Sequence, residues 1–167
     1  LQIAENGAGA LATRLLNGLL DMSVSSVRLS DAALMGEALL EEELFVISAR
    51  PVTGGLAALA DLPWIVSGSP NAIRGHLGAI FTQAELEPNV VAEINSLPMV
   101  IRAVEDGLGV TLLPRAAVAD ALAAGRVTAS PLAHPAPRRT VHLYRRRDKT
   151  TTPAEDAVWR LVIEVSR

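Results

Sequence analysis

The chain has 167 residues, half of them hydrophobic, and sets 15 Lys and Arg against 18 Asp and Glu for a net charge of −3. That apolar load suits one compact domain or two small lobes and excludes a disordered chain, while the charge has the wrong sign for a segment that grips nucleic acid by itself. With no cysteine, disulfides, thiolate metal sites and a Cys nucleophile are excluded, and no apolar run is long enough to cross a bilayer.

Taken in chain order, Leu1–Ala4 reads as a strand that starts inside an apolar pattern without an initiator Met, as in a fragment of a longer protein. Ala8–Asn17 reads as a helix with Leu11, Leu15 and Leu16 inward and Gly18 as its stop. Met22–Val24 is a second strand, so the opening is expected to be a βαβ unit. The acidic run Glu41-Glu42-Glu43 reads as a solvated face and leads into a strand at Leu44–Ser48. Pro51, Gly54 and Gly55 then break the pattern.

Strand and helix next alternate. Trp64–Val66 is a strand, and Ser67-Gly68-Ser69-Pro70 turns into a helix whose buried stripe is Ile73, Leu77, Ile80, Phe81 and Ala84. Asn89–Ile94 is the following strand. Ser96 is placed to cap a helix with its hydroxyl, Pro98 lies in the first turn, and Leu97, Val100, Ile101 and Val104 share a face. Gly107 supplies the left-handed stop, and Val110–Leu113 reads as a strand buried on both faces of a parallel sheet. Arg115–Ala124 is a helix stopped by Gly125, and Pro131, Pro135 and Pro137 mark a second break. Thr140–Tyr144 returns as a strand. Thr152-Pro153-Ala154-Glu155 has the spacing of a capping box and opens a helix with Val158, Leu161, Val162 and Val165 on its apolar face.

The outer segments frame the middle one. The expected architecture is therefore α/β and two-lobed. Residues 1–48 plus 140–167 form the first lobe and residues 56–131 an inserted second lobe, with linkers at 49–55 and 132–139.

Several stretches resemble, in order, the effector-binding domain of LysR-type transcriptional regulators. Leu16-Asn17-Gly18-Leu19-Leu20-Asp21 is similar to the family's helix-to-strand segment, and Leu39–Val46 to its acidic lead into the first hinge strand. Gly107-Leu108-Gly109-Val110 through Pro114 is similar to its glycine-rich strand and proline. Ser69–Arg74 and Asn95–Pro98 resemble the nitrogen assimilation control subgroup. The resemblance implies a type II periplasmic-binding-protein-like fold with a hinge of two crossover segments and an effector between the lobes. It further implies a cytoplasmic homodimer or homotetramer that reaches DNA through an N-terminal winged helix-turn-helix, absent here, with RNA polymerase as a further partner. Such a regulator senses a small molecule, or needs none where it acts through its abundance. Relative to the family, the first strand of the domain with its loop and helix is also missing, so the first lobe is expected to be incomplete.

Helix starts at Ser69–Asn71 and Asn95–Ser96 offer unpaired N–H groups and a partial positive charge, which favour an anion. The same residues also make ordinary caps. The candidate effector-binding residues are Ser25, Ser26, Ser67, Ser69, Asn71, Asn95 and Ser96. Arg74, one turn into its helix, could hold an anion or simply face solvent. His76, His134 and His142 lack partners at metal-ligand spacing, and no metal or other cofactor is expected. Arg145-Arg146-Arg147 with Lys149 is a basic run that fits a soluble surface better than a DNA contact. No nucleophile elbow, phosphate loop or zinc-protease motif is present, so an enzyme is not expected. The competing class is a periplasmic solute-binding protein, which shares the hinged architecture.

Overall fold

The computed structural model describes residues 1–68, 72–132 and 136–166. Its contacts divide the chain into two compact units, one made of Leu1–Glu42 with Thr140–Arg167 and the other of Glu43–Arg139.

The first unit opens without the strand read at Leu1–Ala4. Those residues join none of the sheets, and Leu1 and Ile3 are exposed. An apolar tetrapeptide becomes a strand only when a neighbour takes up its backbone donors and acceptors, so no opening βαβ unit forms. Helix α1 (Ala8–Leu16) follows and buries Leu15. Strands β1 (Ser23–Ser25), β2 (Leu34–Glu43) and β8 (Arg138–Arg146) make a sheet in the order β1-β8-β2. In the β1–β8 pair, which is antiparallel, Ser23 stands opposite Tyr144 and Ser25 opposite His142. Leu15, Leu34 and Tyr144 form the small core of this unit, with Leu16, Leu20 and Leu29 against it. Tyr144 lies so close to Gly36 that a Cβ there would stand 2.5 Å from the ring.

The last helix, α6 (Pro153–Val165), starts at the capping box. Thr152 Oγ1 accepts from Glu155 N–H at 3.2 Å, and Glu155 Oε2 accepts from Thr152 N–H at 2.7 Å. Its inward face is not the expected one. Trp159 is the buried residue, under the Arg145 guanidinium at 4.4 Å, whereas Leu161 and Val165 are exposed. Arg145 also pairs with Asp156 at 2.9 Å, so the helix rotates to give its indole and carboxylate to one arginine.

The second unit begins at Glu43, so strand β3 (Phe45–Ser48), read as the end of the first lobe, belongs to the second. It pairs antiparallel with both β6 (Thr111–Leu113) and β7 (Thr128–Pro131). The expected linker at 49–55 thus lies inside this unit, ahead of α2 (Leu56–Ala60). Likewise β6 is antiparallel to β3, and only Val110 makes a parallel bridge, to Trp64. Strand β4 (Trp64–Val66) is parallel to β5 (Val90–Glu93).

Alternating side chains on β3, β4 and β6 feed two cores. Leu44, Val46, Trp64, Val66 and Leu112 pack with Leu59 of α2 and with Leu77 and Phe81 of α3 (Ala72–Gln83). Ile47, Ile65 and Leu113 pack on the other face with Val100 and Val104 of α4 (Leu97–Glu105) and with Ala121 of α5 (Ala119–Ala123). All three residues of β4 are buried, which explains their unbroken apolar run. The expected single helix over Arg115–Ala124 is a 3-10 turn at Arg115–Val118 followed by α5. Ala84, expected in the stripe of α3, is exposed just beyond that helix.

Candidate functional site

The carboxyl end of β4 is a natural place for a ligand, because its strand stops and a helix begins beside the end of a parallel neighbour. Here β4 runs into Ser67 and Gly68, and its partner β5 runs into Glu93, Ile94 and Asn95. Ile94 N–H bonds to the Val66 carbonyl at 2.9 Å, which continues the ladder to the last turn. Gly68 N–H then donates to Asn95 Oδ1 at 2.7 Å. From the first turn of α3, Arg74 Nη1 donates to Glu93 Oε2 at 2.5 Å and to the Ser67 carbonyl at 3.3 Å.

A side chain at Gly68 would oblige the ends of two polar side chains to shift. A Cβ on it would stand 2.6 Å from Glu93 Oε1 and 3.0 Å from Asn95 Oδ1. Its neighbours are the last residue of β5 and Asn95 just after it, so the small residue lets two polar side chains close over the end of β4. The cluster is half-open to water, with 39% of the Arg74 side chain and 50% of the Glu93 side chain exposed. A ligand can reach it.

Ser96 occupies the N-cap position of α4 with extended backbone (φ −111°, ψ 115°), but its hydroxyl makes no capping bond. Its carbonyl accepts from Val100 N–H at 2.9 Å, as in any first helical turn. The expected capping role of the side chain is therefore corrected: the backbone alone starts α4. Met99 and Leu97 beside it are exposed.

Of the remaining candidates, Ser67 contributes its carbonyl rather than its hydroxyl. Ser69 and Asn71 lie outside the described residues. Ser25 belongs to the first unit and is buried. Its Oγ accepts from Val27 N–H at 3.0 Å and donates to the Val27 carbonyl at 3.1 Å, a local turn that uses up the hydroxyl. Ser26 is partly buried next to it. Asn95 and Ser67 therefore meet in one cluster with Arg74. Glu93 is the member not singled out from the sequence. No local pattern marks it, because its partner Arg74 lies nineteen residues earlier and the β4–β5 pairing brings the two together.

The basic run is used inside the first unit. Arg145 holds Asp156, Arg146 pairs with Asp148 at 3.1 Å, and Arg147 Nη2 donates to the Leu34 carbonyl at 3.3 Å. Lys149 bridges Asp21 and Glu155. The acidic run likewise lies in β2, where Glu43 pairs with Arg138 at 2.7 Å. Among the described residues no three His, Asp or Glu side chains gather as a metal site would require, and no helix is long and apolar enough to cross a membrane.

Residues 1–167 match the model of the LysR substrate binding domain, and the chain belongs to that family. Among curated proteins it is 30% identical over 118 residues to the nitrogen assimilation regulatory protein nac of Klebsiella aerogenes, covering 69% of this chain and 39% of that protein. The chain thus spans about two fifths of the length of that relative. Among solved structures, the effector binding domain of QuiR in complex with shikimate superposes with a TM-score of 0.82 at 17% identity, covering 96% of this chain and 78% of that one. Vibrio fischeri DarR in complex with DNA gives a TM-score of 0.75 at 16% identity, over 96% of this chain and 56% of that one. At such identities the superpositions establish the fold, which is the two-lobed, type II periplasmic-binding-protein-like α/β fold. These relatives are regulators, which does not favour the solute-binding reading.

Proposed function

We propose that the chain is the effector-sensing and oligomerisation part of a cytoplasmic LysR-type regulator of the nitrogen assimilation control group, acting by binding rather than by catalysis. The family match over the whole chain carries this reading. The longer protein would reach DNA through its own DNA-binding region, self-associate as a dimer or tetramer and act on RNA polymerase.

The effector is a small molecule with at least one anionic or strongly accepting group. Strand ends that turn into helices offer backbone N–H groups and a partial positive charge to such a group, and Arg74 adds a full charge. Asn95, Ser96 and Ser67, with Ser69 and Asn71, would be the contacts from the second lobe. An effector can shift the protein only by its differential affinity for two arrangements, so its contacts must differ between them.

Ser96→Ala in the intact regulator tests the site. The hydroxyl caps nothing, so melting should change little. A hydrogen bond to a charged ligand is worth about 1.5–3 kcal/mol, so calorimetry with carboxylate-bearing metabolites should show affinity falling about ten-fold or more. Unchanged affinity would remove Ser96 from the site. If no metabolite of this class binds the intact regulator, the sensing reading itself fails.

A further inference from the structure

At the end of β4 the groups best suited to hold an anion already have acceptors from the same chain. The Gly68 N–H is taken by Asn95 Oδ1 at 2.7 Å, and one nitrogen of the Arg74 guanidinium by Glu93 Oε2 at 2.5 Å. The acceptors come from the end of β5 and the residues just after it, and the other Glu93 oxygen lies over Gly68, 2.6 Å from where its Cβ would be. Glu93 is therefore held by the Arg74 pair, and the absence of a side chain at 68 leaves room for its second oxygen.

We propose that Glu93 is the specificity-determining residue of this site: as a resident carboxylate on Arg74 and over Gly68, it turns away small free anions. The inference rests on the effector-sensing reading and adds a rule to it. A small anion such as sulfate or acetate must displace a tethered carboxylate, which is always present at high local concentration, and must also approach its negative charge. A true effector must compensate for that displacement, by offering Glu93 a donor or a cation of its own while its acceptor takes Arg74. Specificity then comes from the repulsive element as much as from the attractive one. The pair is half-exposed, so its strength is that of a partly screened ion pair. Glu93 sets a threshold rather than a block.

The test is a sulfate titration of the isotope-labelled chain at constant ionic strength, read from the amide signals of Gly68 and Asn95. In the wild type these signals should move only at high sulfate concentration. In Glu93→Gln, which keeps the size of the side chain and removes its charge, they should move at lower sulfate, with binding about two- to five-fold tighter than to the wild type, the scale of one half-exposed ion pair. Glu93→Ala should respond in the same direction and serves if the glutamine variant misfolds. Equal binding to wild type and variant would overturn the proposal, and so would the absence of binding to both. Either failure leaves the effector-sensing reading standing, because that reading is judged on metabolites and the intact regulator.

Discussion

Ser23 leaves a buried polar group unsatisfied. It faces the core of the first unit at 6% exposure, opposite Tyr144, and its Oγ has no hydrogen-bond partner among the described residues. His142 Nδ1, on the neighbouring strand, is in the same position. A buried hydroxyl without a partner costs about 1–3 kcal/mol, and serine differs from alanine by that one atom. Ser23→Ala should therefore raise stability by about 1 kcal/mol, measured by denaturant unfolding at unchanged slope. A loss instead would mean that an ordered water joins the hydroxyl to the core. At this scale the site was partly legible. Asn95 and Ser67 could be picked out because they end strands before helices, and the sequence also places Arg74 one turn into α3. Whether Arg74 met solvent or a partner depended on Glu93, nineteen residues on, and only the parallel β4–β5 pairing brings the two together. Ser96 shows the reverse. Its position is that of a cap, yet its side chain does not make the bond, because a side-chain rotamer is not encoded in a residue's place along the chain.

Among the elements, α6 carries the clearest dependence on conditions. Lys149 donates to Glu155 and, with the Thr152 backbone N–H and Asp21, pulls the Glu155 carboxyl down from 4.5 to about 2. The Lys149 ammonium is pushed up, chiefly by Asp21 and then by Glu155. A carboxyl whose folded value is depressed adds stability above its unfolded value, and that stability is lost as pH falls through the folded value. The stabilisation from Glu155 is thus complete above about pH 4.5 and disappears toward pH 2. Lys149 contributes wherever its carboxylate partners are ionised and loses its share on the alkaline side, above its ordinary 10.5. Glu155→Gln keeps a side chain able to complete the capping box and removes the charge. Its melting temperature should fall less steeply than that of the wild type between pH 4.5 and 2. Parallel curves would show that the bridge adds nothing. The box itself was readable from four residues because both of its bonds are local. So was the end of α4, where Gly107 has φ +75°. The ten residues of β2 were not readable: Leu39-Leu40 followed by three glutamates suits a helix or a solvated face, and only pairing with β8 makes it a strand. The phase of α6 escaped for the same reason, since Trp159 turns inward toward Arg145, an arginine of another element.

For the molecule as a whole, charge bears on whether this chain can hold DNA. The chain carries a net charge of −3. The cations of its basic run are spent on Asp156, Asp148, Asp21, Glu155 and backbone carbonyls. Binding to DNA needs cations that displace counterions from phosphates, and the affinity then falls steeply with salt. A cluster already neutralised by its own carboxylates cannot supply that term. The chain by itself should therefore leave labelled operator DNA unbound in fluorescence anisotropy, even at low salt. The longer protein, of the length seen in the nac relative, should bind with strong salt dependence through its separate DNA-binding region. Substituting Arg146 or Arg147 in that protein should weaken the first unit before it changes the salt slope, because these side chains hold Leu16, Asp148 and Leu34 rather than a phosphate. Tight, salt-dependent binding of operator DNA by this chain alone would reverse the assignment and make the basic run part of the DNA interface.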